Sequence, residues 1–255
     1  MSQTPFLSVV LPAYNEAAAI SRTLQAIRAF LDDQRYTYEV VVAVDGDDDT
    51  PSIVENIAKS WPNLRIAAEA GRHGKGHGLR RGMGLVSGQI VGFIDADYKT
   101  PIDQVAKFLP WFDEGYDIVA GSRALSESRI ERYQPWYRRV GSQAFAVAMH
   151  VIVGLNAIRD TQCGFKFFTR QAAADIFSRC QIDGYMCDVE ILWLADRLGY
   201  RVKEAGIVWR DDGDSRLQLV SGNIRNAFDL IRIRFGSYAL NGRPQAVAEP
   251  TDPIS

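Results

Sequence analysis

The sequence predicts an α/β protein with a mostly parallel central sheet flanked by helices. Short apolar runs alternate with helical patterns through the first half of the chain, as they do in parallel sheets. Most of these runs are continuously apolar, the pattern of strands buried on both faces. Polar, chemistry-bearing residues gather where the runs end, and open α/β sheets bind ligands outside the carboxyl ends of their strands.

In chain order, LSVVL (7–11) is a first strand, followed by a helix from about Glu16 to Leu31. YEVVVAV (38–44) is a second strand and Pro51 to Ser60 a second helix. LRIAA (64–68), a Gly-rich helical segment from Lys75 to Val86, QIVGFI (89–94), a helix from Ile102 to Phe112 and DIVAGS (117–122) continue the alternation. Beyond Arg123 the pattern becomes irregular. It runs through an Arg-rich stretch, a helix from Pro135 to Gly154, FKFFT (165–169), and helices near Gln171–Ser178 and Asp188–Leu198. A last strand from Arg201 to Trp209 precedes the loop RDDGDSR (210–216) and a helix from Leu217 to Phe235. Residues 1–240 are therefore expected to form one domain, with a donor-side half over about 5–123 and an acceptor-side half over about 124–240. Residues 241–255, rich in Pro, Ala and Asp without apolar period, read as a flexible tail.

At 255 residues, 47% hydrophobic and 24% charged, the chain suits a soluble globular protein, and a net charge of -2 gives no reason to expect nucleic acid. Cys163, Cys180 and Cys187 lack metal-ligand spacing and suit a reducing cytoplasm. The opening residues do not read as a signal peptide. The uncharged stretch from Val140 to Ile158 is interrupted by Ser142, Gln143, His150 and Asn156, so it reads as an amphipathic or buried helix.

Asp95-Ala96-Asp97 directly follows the strand IVGFI, which sets two carboxylates at a sheet end. Hard oxygen ligands suit Mg²⁺ or Mn²⁺, whose shells are completed by water and substrate phosphates; acidic pairs after strands also cap helices. PAYNE (12–16) is either a turn entering a helix or a ring and carboxylate floor under a nucleoside. DGDDDT (45–50) either caps the next helix through Asp49 or Thr50, or offers carboxylates to the donors of a base or ribose. RHGKGHGLRRG (72–82) could bring Arg72 and Lys75 against phosphates, or simply turn into a helix. It contains neither a P-loop nor a Rossmann fingerprint, and His73 and His77 lack an HExxH context for zinc.

Taken in order, these motifs resemble the family-2 glycosyltransferases of GT-A fold, whose central sheet is Rossmann-like. The resemblance is greatest to the dolichyl-phosphate glucosyltransferases and dolichol-phosphate mannose synthases. It covers about Leu7 to Phe235 and rests most on DTQCGFKFFTR (160–170), with GKGHGLRRGM (74–83), the DAD triplet, GSR (121–123) and CDVEILWLA (187–195) in support. It implies that Pro12, Tyr14, Glu16, Ala43 and Asp45 hold the nucleoside, and that Asp95, Ala96 and Asp97 hold the metal and diphosphate. It further implies that Arg123 lies near the reacting phosphates, that Arg210 and Arg216 engage the donor diphosphate, and that Arg138 and Ser142 bind the acceptor phosphate. Arg216 stands where the synthases carry Lys, and DGDDDT is one residue shorter than the usual DGSxDxT. Asp188 and Glu190 match the family's DVE element and could orient the sugar or an arginine.

The implied reaction moves a hexose, glucose before mannose, from UDP-glucose or GDP-mannose to a polyprenyl or dolichyl phosphate with inversion at the anomeric carbon. The acceptor is already an anionic nucleophile, so alignment and neutralisation of two phosphate groups are the main tasks. Contact with the cytoplasmic membrane face would be peripheral, through the helix 144–155 that follows Trp136 and Tyr137, although that helix also reads as core. A non-lipid acceptor such as a polysaccharide is the alternative within enzymes. A nucleotide-binding oxidoreductase is disfavoured because no GxGxxG follows LSVVL, and intact Asp95, Asp97 and arginines argue against a silent binding protein.

Overall fold

The computed structural model describes residues 4–131, 152–210 and 221–240. Arg138, Ser142 and Arg216, the loop 211–216, the tail and nearly all of the helix expected over 135–154 lie outside these residues.

The expected alternation is present: β1 (Leu7–Tyr14), α1 (Ile20–Asp32), β2 (Tyr38–Gly46), α2 (Thr50–Ala58), β3 (Leu64–Ala70), α3 (Lys75–Met83) and β4 (Ile90–Ile94). The helix expected over 102–112 divides into a 3₁₀ turn, Ile102–Lys107, and α4, Leu109–Asp113. Pro110 lacks the N–H that a continuous helix would use there. Then come β5 (Ile118–Ser122), β6 (Arg129–Ile130), β7 (Phe165–Thr169), α5 (Arg170–Phe177), α6 (Cys187–Arg197), β8 (Val202–Gly206), β9 (Val208–Trp209) and α7 (Ser221–Phe235). The strand expected over 201–209 is thus two strands that belong to different sheets.

Among the described residues the main sheet has seven strands in the order β3-β2-β1-β4-β7-β5-β8, and β6 pairs with β9 beside it. All pairings in the main sheet are parallel except those of β7, which runs antiparallel to β4 and β5. FKFFT, assigned by sequence to the irregular second half, is therefore a central strand, and the two expected halves interleave in one sheet. The edge strands β3 and β8 are only partly buried, unlike the fully buried β4 and β5.

Side chains alternate across the sheet with period two. Leu7, Val9 and Leu11 face a core with α1, α2 and the 3₁₀ turn, while Val10 faces a second core with α3, α5 and α6. α1 contributes Ile20, Thr23, Leu24, Ile27 and Leu31, a stripe at helical spacing. It begins four residues after Glu16, whose carbonyl accepts the N–H groups of Ala19 and Ile20. α5 is capped by Thr169, whose hydroxyl accepts the N–H of Ala172 at 3.3 Å.

Chain order reverses between β1 and β4, and a ligand crevice belongs at the carboxyl end of such a switch point.

Candidate active site at the β1/β4 switch point

Asp95 and Asp97 follow β4 at this point, with side chains 41% and 36% exposed. Ala96 between them is buried, and its carbonyl accepts the Thr23 hydroxyl at 2.9 Å. The triplet therefore divides its work: Ala96 pins the strand end to α1 and the two carboxylates stay open. Asp95 donates its N–H to the Gly164 carbonyl at 3.0 Å, and a Cβ at position 164 would overlap the Asp95 carboxyl group. The glycine of DTQCGFKFFTR is thus the floor on which Asp95 rests.

Both carboxylates meet ammonium groups, Lys75 Nζ to Asp95 at 2.8 Å and Lys99 Nζ to Asp97 at 2.8 Å. Lys75 Nζ also bonds Asp188 Oδ2 at 2.8 Å, and the other oxygen of Asp188 receives the fully buried Lys166 Nζ at 2.6 Å. Lys166 donates further to the Cys163 carbonyl at 2.5 Å and lies 5.4 Å from the Phe93 ring centroid. Burial opposes charge on Lys75, but Asp188 and Asp95 hold its ammonium well above the usual lysine range. Burial would likewise raise the Asp188 carboxyl, yet Lys166 and Lys75 hold it below the ordinary carboxylate range. The result is a fixed chain of charge, Lys166–Asp188–Lys75–Asp95, from the core into the crevice.

Asp45 closes β2 opposite Tyr14 of β1. Its Oδ2 accepts the N–H groups of His73 and Gly74 at 3.2 and 3.1 Å. Among the described residues its buried Oδ1 accepts no hydrogen bond, and Arg81 Nη1 stays 3.7 Å away. Two other acids of DGDDDT have local work. Asp47 exchanges two hydrogen bonds with Asn15, and Asp48 accepts from Ala17 N and Thr50 N. Thr50 accepts the Glu16 N–H at 2.9 Å, so this loop ties the ends of β1 and β2 together. Neither Asp49 nor Thr50 caps α2 through its side chain.

Arg72 lies over the Tyr14 ring, 4.9 Å from its centroid. The glycines that follow serve packing more than ligand access: a Cβ at Gly74 or Gly76 would overlap the carbonyls of Asp183 or Ile182, and one at Gly82 would overlap Val10. Ala43 is buried in β2, with Pro12 as its partner in β1, and both face α3 at Gly78. The Ala43 side chain thus belongs to the core below the crevice.

Arg123, just past β5, is engaged by Asp160 through Nε and Nη2 at 2.7 and 2.9 Å and through its backbone N–H at 2.9 Å. Burial works against both charges, but each partner holds the other ionised, so the guanidinium lies above its ordinary value and the Asp160 carboxyl below. Trp209 lies 5.5 Å from the guanidinium. Arg210 bonds Glu131 at 2.8 Å, and its backbone N–H donates to Lys99 O at 2.8 Å. Glu190 accepts the N–H groups of Gln181 and Ile182 and the Tyr238 hydroxyl, and burial pushes its carboxyl up. Among the described residues, neither Asp188 nor Glu190 hydrogen-bonds an arginine side chain; one fixes lysines and the other fixes backbone.

Asp160, Gly164 and Lys166 were visible only as letters of a motif, and their work depends on contacts across the sheet. The three cysteines are free and buried, and burial pushes the Cys163 thiol up to about 12. Glu69, His73 and His77 bring their ligand atoms within 4.8 Å of one another, but Arg81 already binds Glu69 at 2.6 Å.

Residues 8–177 match the model of glycosyl transferase family 2. The chain belongs to glycosyl transferase family 2. It is 33% identical over 259 residues to a dolichyl-phosphate beta-glucosyltransferase of Trichomonas vaginalis, covering 93% of this chain and 77% of the relative. A dolichyl-phosphate beta-glucosyltransferase of Drosophila melanogaster is 34% identical over 83% of this chain and 69% of its own. Among solved structures, the UDP complex of glucosyl-3-phosphoglycerate synthase from Mycobacterium tuberculosis aligns with a TM-score of 0.64 at 23% identity, over 90% of this chain and 80% of that one. A mannosyltransferase from Pyrobaculum calidifontis, solved with GDP-Man and Mn²⁺, aligns with a TM-score of 0.56 at 24% identity, over 84% and 59% of the two chains. These likenesses establish the GT-A fold of the family-2 chain. No helix among its described residues is long and apolar enough to cross a membrane.

Proposed function

We propose that this family-2 glycosyltransferase moves glucose from UDP-glucose to a polyprenyl or dolichyl phosphate, with inversion at the anomeric carbon. The observation that carries the donor site is the placement of Asp95 and Asp97, two open carboxylates at the switch point, with Lys75 held against one of them by a buried ion chain. The names of the relatives support glucose and a lipid phosphate.

Asp95 and Asp97 fit a hard divalent cation, Mg²⁺ or Mn²⁺. They offer oxygen donors alone, and each already faces an ammonium group, the type of charge such a site accepts. Once bound, the cation would supply charge neutralisation to the leaving diphosphate. Lys75 would share that task, and its ammonium is already fixed by Asp188, which supports the reading because little reorganisation is required. Asp45, whose Oδ1 has Arg81 at 3.7 Å but no hydrogen bond among the described residues, would turn to a donor on the base or ribose, with Tyr14 its partner in β1 and Arg72 over that ring, while Pro12 and Glu16 shape the turn. Arg123, oriented by Asp160, would meet the reacting phosphates, and Arg210 would engage the donor diphosphate. By family resemblance Arg216 would join Arg210 at the donor diphosphate, and Arg138 and Ser142 would bind the acceptor phosphate. The acceptor oxygen is already anionic, so no general base is assigned. Mannose from GDP-mannose and a peripheral position on the cytoplasmic membrane face belong to the same reading.

The test incubates the protein with Mn²⁺, labelled UDP-glucose and a short polyprenyl phosphate, with GDP-mannose in parallel. Labelled glucose in the organic extract is expected. Sugar transferred only to polysaccharide or a small soluble acceptor would overturn the lipid acceptor.

A further inference from the structure

The outer face of α7 carries three large apolar side chains in water: Phe228, Ile231 and Phe235, exposed by 68%, 50% and 77%. Spaced by three and four, they form one stripe along the helix. The opposite face is conventional, with Asn226, Leu230 and Ile233 buried. Arg232 and Arg225 border the stripe on one side and Arg234 on the other, and all three are exposed. Three arginines against the single aspartate Asp229 make this helix cationic in a chain whose net charge is -2. An apolar strip edged by arginines matches a bilayer boundary, where rings enter the acyl region and guanidinium groups reach headgroup phosphates.

The edge of α7 that carries Arg225 and Arg232 connects this stripe to the active site. Arg232 Nη2 donates to Gln181 Oε1 at 3.4 Å, and Arg225 and Asp229 face the backbone of Gly184. The same turn receives Gly76 N at Asp183 O, 2.8 Å, and Arg80 Nη1 at Ile182 O, 3.0 Å. It therefore closes on the N-terminus of α3, where Lys75 reaches Asp95.

We propose that α7 is the surface by which this protein docks on an anionic lipid bilayer, with Phe228, Ile231 and Phe235 inserted and Arg225, Arg232 and Arg234 on the headgroups. This helix differs from the one over 144–155 that the sequence suggests for the task. The proposal deepens the lipid-acceptor reading and rests on it for its purpose, because a substrate anchored in a membrane must be met at that surface.

The test is flotation with phosphatidylcholine vesicles, with and without phosphatidylglycerol, at low and high salt. Wild type should float with the anionic vesicles, less so in high salt, with roughly a fivefold loss of partitioning for each arginine replaced by glutamine. A Phe228→Ser, Ile231→Ser, Phe235→Ser variant should stay in the soluble fraction while keeping its thermal melt and its transfer to a short, water-soluble acceptor phosphate. No flotation of the wild type, or equal flotation of the variant, would overturn the proposal. So would a wild type that ignores vesicles and is a dimer by light scattering where the variant is a monomer, since the stripe then covers a second copy. Vesicle binding through α7 by a protein that glycosylates only soluble acceptors would leave the docking intact and remove the acceptor assignment.

Discussion

At the scale of single residues, the site depends on charges that were readable and on contacts that were not. Asp95 and Asp97 stand out in the sequence because they follow a strand. Gly164 acquires its importance only when β7 folds back beside β4 and sets its backbone under the Asp95 carboxylate. Gly164→Ala should therefore lower turnover by about a hundred- to a thousand-fold, the scale of losing a principal electrostatic group, while the melting curve moves little. Asp188→Asn is expected to act differently, because it leaves Lys166 and Lys75 buried with their shared counter-charge gone. A loss of about 3–5 kcal/mol, measured by urea unfolding, is expected on the scale of breaking a buried pair. The Asp160–Arg123 pair makes a prediction in pH. The Asp160 carboxyl lies below its ordinary value in the folded protein, so its stabilisation is full above about pH 4, the unfolded value, and fades as pH falls through the folded one. The stability difference between wild type and Asp160→Asn should thus be flat near neutrality and shrink in acid. A difference that grows in acid would contradict it.

At the scale of elements, α3 shows how much of a recognised motif depends on packing that the sequence does not display. Its glycines look in sequence like a loop made for phosphates, yet Gly76 and Gly82, with Gly74 just before the helix, allow close packing, because backbone or Val10 occupies the space a Cβ would take. The paired prediction is specific. Gly78→Ala meets its neighbours at an ordinary 3.8 Å and should stabilise the helix by up to about 1 kcal/mol. Gly82→Ala gains the same propensity but collides with the stiff, buried Val10, and overpacking of about 1–3 kcal/mol should win. Thermal melts of the two variants should move in opposite directions. The strands were legible through their apolar runs. The break between Lys107 and Leu109 escaped because apolar period alone does not register a proline.

At the scale of the whole molecule, the mostly parallel sheet followed from alternation, whereas its strand order, its switch point and the position of β7 did not. An antiparallel strand inserted between β4 and β5 has the same apolar pattern as one at an edge, and only tertiary pairing decides its place. This insertion carries Lys166 from the second half of the chain into the core beneath the first. The charge chain through Asp188 thus couples the two halves at the crevice. The exposed stripe of α7 was equally hidden, since the sequence shows its apolar residues but not which of them the rest of the fold covers.

The central claim is that Asp95 and Asp97 form the metal-dependent seat of the donor diphosphate, and UDP binding followed by calorimetry tests it most directly. UDP should bind the wild type in Mn²⁺ and bind far more weakly in EDTA. Asp97→Ala and Asp95→Ala should lose the Mn²⁺ enhancement while unfolding as cooperatively as the wild type. Undiminished Mn²⁺-dependent UDP binding in both variants would contradict the account.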